Sequence, residues 1–218
     1  MTTMTRQQGG PPLLAPALAF GVLTVASAVL GAAGTRPDSS AAEVAAYLGG
    51  NQGVVRLLAF AVFGASVPLA VWAATAYRRQ RRLGVAAPGA VIGLTGGVLS
   101  AAALAMSGLI TWTAAQASDT PAVARALTSL AFASGGPGFV VPLALLIAGI
   151  AVPALFLKLL PRWMSVAGLV VAAAAVPASL SLLTPALYPL IPVGRFGGLV
   201  WLVAASVLLP RDRAARTD

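Results

Sequence analysis

Five stretches of this chain, residues 13–33, 57–77, 88–112, 139–157 and 163–183, contain no charged side chain at all. Each is close to the roughly 20 residues that cross about 30 Å of hydrocarbon at a rise of 1.5 Å per residue. A sixth stretch, 196–209, is too short alone, and extending it back to residue 193 brings Arg195 inside the apolar run.

A water-soluble fold is excluded by supply of polar surface. A soluble chain of this size still exposes roughly a quarter to a third of its unfolded surface and carries roughly 25% charged residues. This one has 59% hydrophobic and 9% charged residues over its 218 positions, with a mean hydropathy of +0.92. A transmembrane barrel is excluded by pattern, because the apolar residues are continuous rather than alternating and each run is about twice a barrel strand. Pro16, Pro68, Pro142, Pro153 and Pro177 fall within the runs. They would break a soluble helix, but neighbouring helices in a membrane can answer the carbonyls they free. The expected fold is therefore all-α: one six-helix transmembrane domain over residues 13–210. A lead of residues 1–12 precedes it and a basic tail of residues 211–218 follows. Ala26-Ser27-Ala28 also fits a signal-peptidase site, but the apolar stretch before it is longer than a usual signal core.

Arginine placement gives an orientation. With the Arg78-Arg79-Gln80-Arg81-Arg82 turn inside, Arg6, Lys158, Arg162, Arg211, Arg213 and Arg216 fall inside too. That makes ten basic residues against four outside: Arg36, Arg56, Arg125 and Arg195. This is the positive-inside distribution with both termini cytoplasmic. The same arginine run can attract anionic lipid. Nucleic acid is a poor partner for scattered arginines that anchor helix ends. Trp112, Tyr77 and Trp163 stand where an interfacial aromatic belt is expected, and Trp72 and Trp201 where helices pack.

Two outer connections carry helix-start signals. Ser40-Ala41-Ala42-Glu43 has the form of a capping box before Val44, Tyr47 and Leu48. Asp119 or Thr120 precedes Pro121 and an apolar stripe of Val123, Leu127 and Leu130. Both predict short amphipathic helices at the outer surface. Gly93-x-x-x-Gly97 and Gly194-x-x-x-Gly198 predict close helix approaches.

The inventory for chemistry is small. With no cysteine and no histidine, thiolate or imidazole metal sites, histidine-ligated haem and Ser-His or Cys-His nucleophiles are excluded. No cofactor is expected. The membrane runs hold no carboxylate, which argues against a proton relay or a magnesium-holding acidic cluster. The expected ligand-binding residues are Arg195, Arg56, Glu43, Asp119, Tyr188 and Tyr47, all near the outer end. The leading role is non-catalytic: binding or passage of a small apolar or lipid-like molecule, or service as a membrane subunit, alone, self-associated or with a partner. The alternative is an enzyme acting on a lipid-soluble substrate, with Glu43 or Asp119 as acid-base groups and Arg195 as anion holder. Arg195 also has a plain reading, a long side chain snorkelling to the interface.

Several motifs bear a resemblance. They are Pro37-Asp38-Ser39 with Glu43-Val44-Ala45-Ala46-Tyr47-Leu48 after it, Ala122-Val123-Ala124-Arg125-Ala126-Leu127, and Leu160-Pro161-Arg162-Trp163. With the short basic tail, the layout resembles six-helix integral membrane proteins of actinobacteria from a family without assigned function. The resemblance implies a bacterial cytoplasmic (inner) membrane location. The arginine-for-lysine, alanine-rich composition of a high-GC genome points the same way. Neither brings a substrate or a functional residue.

Overall fold

The computed structural model describes residues 12–211. Arg6, Arg213 and Arg216, three of the residues in the charge count, lie outside them. All regular structure among the described residues is helical: α1 Leu14–Gly31, α2 Ala41–Gly50, α3 Gln52–Arg82, α4 Gly89–Ala114, α5 Pro121–Gly135, α6 Pro137–Phe156, α7 Arg162–Ala175 and α8 Leu190–Leu208. Six stretches are long and apolar enough to cross a membrane: α1, α3, α4, the α5–α6 run, α7 with its continuation, and α8 with the short turn before it. The class is thus that of a multi-pass α-helical membrane protein. The outer surface agrees with it. Phe60, Val200, Phe156 and Leu183 are 67%, 69%, 78% and 83% exposed, a distribution that water would penalise.

α6 is the central helix. Phe139, Val140, Leu143, Leu146, Ile147, Ile150, Ala151 and Ala154 are all buried along it, and it packs against α4, α5, α7 and α8. Side chains in lipid gain little by leaving it, so close backbone approach has to hold the helices together. The α4–α6 contact is of that kind. A Cβ on Gly96 would lie 2.5 Å from the Leu146 nitrogen, and one on Gly149 would run into the backbone of Gly93. Gly194 and Gly198 likewise receive Val140 and Leu143 of α6, so both sequence GxxxG patterns are used within the chain.

Proline breaks are answered from neighbouring helices. Pro153 has no N–H to give the Gly149 carbonyl. The fully buried Gln80 of α3 donates to it instead, Nε2 to O at 3.3 Å. Trp72 Nε1 donates to Ser206 Oγ at 2.8 Å and Trp201 Nε1 to the Met164 carbonyl at 3.0 Å, tying α3 and α7 to α8. Trp112 and Trp163 are exposed at the ends of their helices.

Three boundaries differ from the sequence expectation. α3 is 31 residues long, about 46 Å at the helical rise, so it overshoots the hydrocarbon and carries its arginines past it. Arg79 there donates to the Leu209 carbonyl at the end of α8, at 3.2 Å. The expected fifth span stops being α-helical at Ala175, where Pro177 removes a donor and the chain tightens into a 3-10 helix, Val176–Leu182. The third difference is between α5 and α6. Only Gly136 separates them (φ −87°, ψ −105°), giving a 36-residue run with one break. A residue before proline is pushed away from the α conformation, and Pro137 does this to Gly136.

The two turns on the arginine-rich side use the same helix stop. After α3, Gly84 takes φ 86° and Val85 N–H donates to the Gln80 carbonyl at 3.0 Å; after α6, Lys158 takes φ 53° and Leu159 N–H donates to Ala154 at 2.9 Å. Both are left-handed Schellman caps. Glycine adopts that conformation without penalty, and a lysine does so at a cost of roughly 1–2 kcal/mol. Lys158→Gly is therefore expected to stabilise the protein by about 1 kcal/mol and Gly84→Ala to destabilise it by a similar amount, read as opposite shifts in thermal unfolding in detergent.

Candidate ligand cavity beneath the loop helices

Two apolar clusters divide the molecule. The large one follows α6 through the bundle. The small one joins Val44, Ala45 and Leu48 of α2 to Val55, Ala114, Ala115 and Ala124. α2 and α5 pack against each other, and the cavity is walled from both clusters. Its volume is about 350 Å³, and it is partly open. Ala28 and Gly31 of α1, Tyr47 and Leu48 of α2, Leu58 and Val62 of α3, Thr111 of α4, Phe132 of α5 and Ile191 and Arg195 of α8 contribute to the wall. The contributing segments come from the ends of the helices that α2 and α5 connect and from the start of α8. Size and apolar character are those of a small-molecule site, at the lower end of the usual range.

α2 seats Tyr47, and its start is well specified. Ser40 N–H donates to Glu43 Oε2 at 2.8 Å and Glu43 N–H to Ser40 Oγ at 3.3 Å, a complete capping box. α5 starts differently. Thr120 occupies the N-cap position without a side-chain cap bond, and Pro121 supplies the pre-set φ and leaves one fewer amide to satisfy. Val123 and Leu130 of the predicted stripe are about half exposed, and the face that α5 buries is Ala124, Ala131 and Gly135.

Arg195 is held where the α5–α6 break leaves a backbone acceptor. Interruption at Gly136 costs the Gly135 carbonyl its helical donor, and Arg195 Nη2 donates to it. A cation at a helix C-terminus also meets the negative end of the dipole. The guanidinium lies over the Phe139 ring, 5.3 Å from its centroid, a cation–π contact. Its Nε is buried with no acceptor among the described residues. Most hydroxyls around the cavity are turned to backbone: Ser107 to Ala131 O at 2.9 Å, Thr111 to Ser107 O at 2.7 Å and Thr128 to Ala124 O at 2.9 Å.

Of the six residues singled out in the sequence, Arg195 and Tyr47 line the cavity. Tyr188 packs edge-on against Phe132, a wall residue, with centroids 5.0 Å apart. Arg56, Glu43 and Asp119 are exposed and not among the lining residues. The Glu43 carboxylate is engaged in the cap, and its pKa is lowered by the Ser40 backbone N–H and then the Ser40 hydroxyl. No group of three or more acidic, histidine or cysteine side chains suited to a metal occurs among the described residues. Sequence reading missed the link between Arg195 and Gly135. The signal was Gly135-Gly136-Pro137, whose break predicts a freed carbonyl without naming its donor.

Comparison of the chain with protein-family models, curated proteins and solved structures finds no match.

A carboxylate whose folded pKa is depressed adds stability above its unfolded pKa, and that stability is lost as pH falls through the folded value. Amide exchange in α2, corrected for intrinsic rate, is expected to speed up as pH drops through and below the usual carboxylate range. Glu43→Gln should abolish that pH dependence. Ser40→Ala, which keeps the backbone donor and loses only the hydroxyl, should weaken it and loosen α2 by about 0.5–2 kcal/mol already at neutral pH.

Proposed function

We propose that this protein is a multi-pass protein of the bacterial cytoplasmic membrane, with both termini cytoplasmic, that binds a small apolar or lipid-like molecule at the outer end of its bundle. The cavity of about 350 Å³, apolar in its walls and framed by α2 and α5, carries this reading. The helices around it supply small residues, kinks and hydroxyls rather than acid-base pairs, which suits holding or passing a ligand over transforming one. Glu43 and Asp119, the acids an enzymatic reading needs, are exposed away from the cavity. The basic turn at Arg78, Arg79, Arg81 and Arg82 attracts anionic lipid on the cytoplasmic side, each charge near the surface adding about 1 kcal/mol. Use of the GxxxG positions inside the chain leaves self-association or a partner subunit to other faces.

The cavity claim is tested by native mass spectrometry from a non-ionic detergent. A retained small hydrophobic adduct is expected, and Thr111→Trp, which fills the cavity from α4, should remove it while the fold persists. An adduct unaffected by the tryptophan contradicts the site. Orientation is tested in the naturally cysteine-free chain: in intact cells an impermeant maleimide should label Ser40→Cys and spare Ala86→Cys.

A further inference from the structure

Among the described residues Arg195 is the one charged side chain lining the cavity, and no carboxylate pairs with it. The end of α5 offers it the equivalent of about half an elementary negative charge, and the Phe139 face offers a quadrupole. The start of α6 beside it presents the opposite end of its own dipole, so the cation has no full counter-charge among apolar walls, where an unpaired ion is costly. The buried Nε proton has no acceptor. The hydroxyls of Ser107, Thr111 and Thr128 are committed to carbonyls, so they do not supply it. Tyr47 adds a second donor to the wall, its hydroxyl without a partner among the described residues. Donors and surplus positive charge, with no anion from the described residues, select a ligand that brings an anion. The rest of the wall, including Leu58, Val62 and Ile191, selects hydrocarbon. A volume near the bottom of the small-molecule range takes one alkyl chain rather than a two-chain lipid.

We infer that the cavity binds a single-chain anionic amphiphile, with a compact carboxylate or phosphate head on Arg195 and its chain against the apolar wall. This inference rests on reading the cavity as a ligand site.

The test compares probes that share a chain or a head, using the full chain in phosphatidylcholine nanodiscs with protein-free discs as the blank. Dodecanoate and dodecyl phosphate are measured against dodecanol, and acetate and inorganic phosphate serve as tail-free competitors. At least one anionic dodecyl probe is expected to bind at least about tenfold tighter than dodecanol, as a charge-assisted hydrogen bond warrants. Which anionic probe leads tells carboxylate from phosphate. Arg195→Gln should reduce the preference to within about twofold, Arg195→Lys should retain most of it, and Thr111→Trp should weaken acid and alcohol alike. The head-group comparison is made on the unaltered chain, so it decides even if Arg195→Gln does not fold. Equal binding of acid and alcohol, both blocked by Thr111→Trp, overturns the anionic head and leaves the cavity reading intact. Competition by acetate or phosphate at dodecanoate's own concentration overturns the amphiphile in favour of a small-anion site. Dodecyl binding that Thr111→Trp leaves unchanged, or none above the blank, overturns the cavity reading as well.

Discussion

In hydrocarbon a backbone carbonyl without a donor has no water to turn to, and the cost of leaving it bare is several kcal/mol. That requirement organises this bundle. The chain interrupts its own helices with proline, and at two interruptions a polar side chain from another helix makes good the missing donor. Gln80 crosses from α3 to Gly149, and Arg195 crosses from α8 to Gly135. Each bond locks two helices that hydrophobic attraction alone would not hold in lipid. The glycine contacts between α4 and α6 bring the backbones close enough for such reaches to work.

The same device makes the cavity. A straight continuation of α5 into α6 would satisfy Gly135 internally and leave α8 no acceptor to grip. Breaking the run at Gly136 lets α5 pack on α2 and opens the space between the loop helices and the bundle. The arginine that repairs the break then stands at that space with one donor unspent. The side chain that repairs the break thus also lines the cavity, and it reaches a backbone carbonyl inside the bundle instead of extending along the helix as a snorkelling side chain would.

Much of this was legible in the sequence because lipid imposes simple rules. Uninterrupted apolar runs revealed five of the six candidate spans, the sixth required Arg195 within it, the S-x-x-E pattern revealed α2, and Trp72 and Trp201 read as packing residues. Helix ends were less legible. α3 overshoots its apolar run because arginines tolerate the interface, and α7 ends early because Pro177 acts on local geometry that hydropathy does not register. Arg56, Glu43 and Asp119 shared the outer end with Arg195 in the sequence, yet side-chain direction on a helix decides which of Arg56, Glu43 and Arg195 faces inward, and Asp119 falls in the turn before α5. Composition carries no such direction. Lys158 in a left-handed cap was invisible for a related reason: only its twin at Gly84 has the residue type that announces the turn.

Helix faces this rich in exposed apolar side chains are expected to meet hydrocarbon. Spin labels placed singly at Val22, Phe60, Val67 and Val200, with Ser40 and Ala86 as surface references, report it directly in reconstituted bilayers. Relaxation by oxygen should dominate at the four apolar positions and relaxation by a water-soluble nickel complex at the two references. Nickel access at Phe60 and Val200 equal to that at Ser40 would contradict the account.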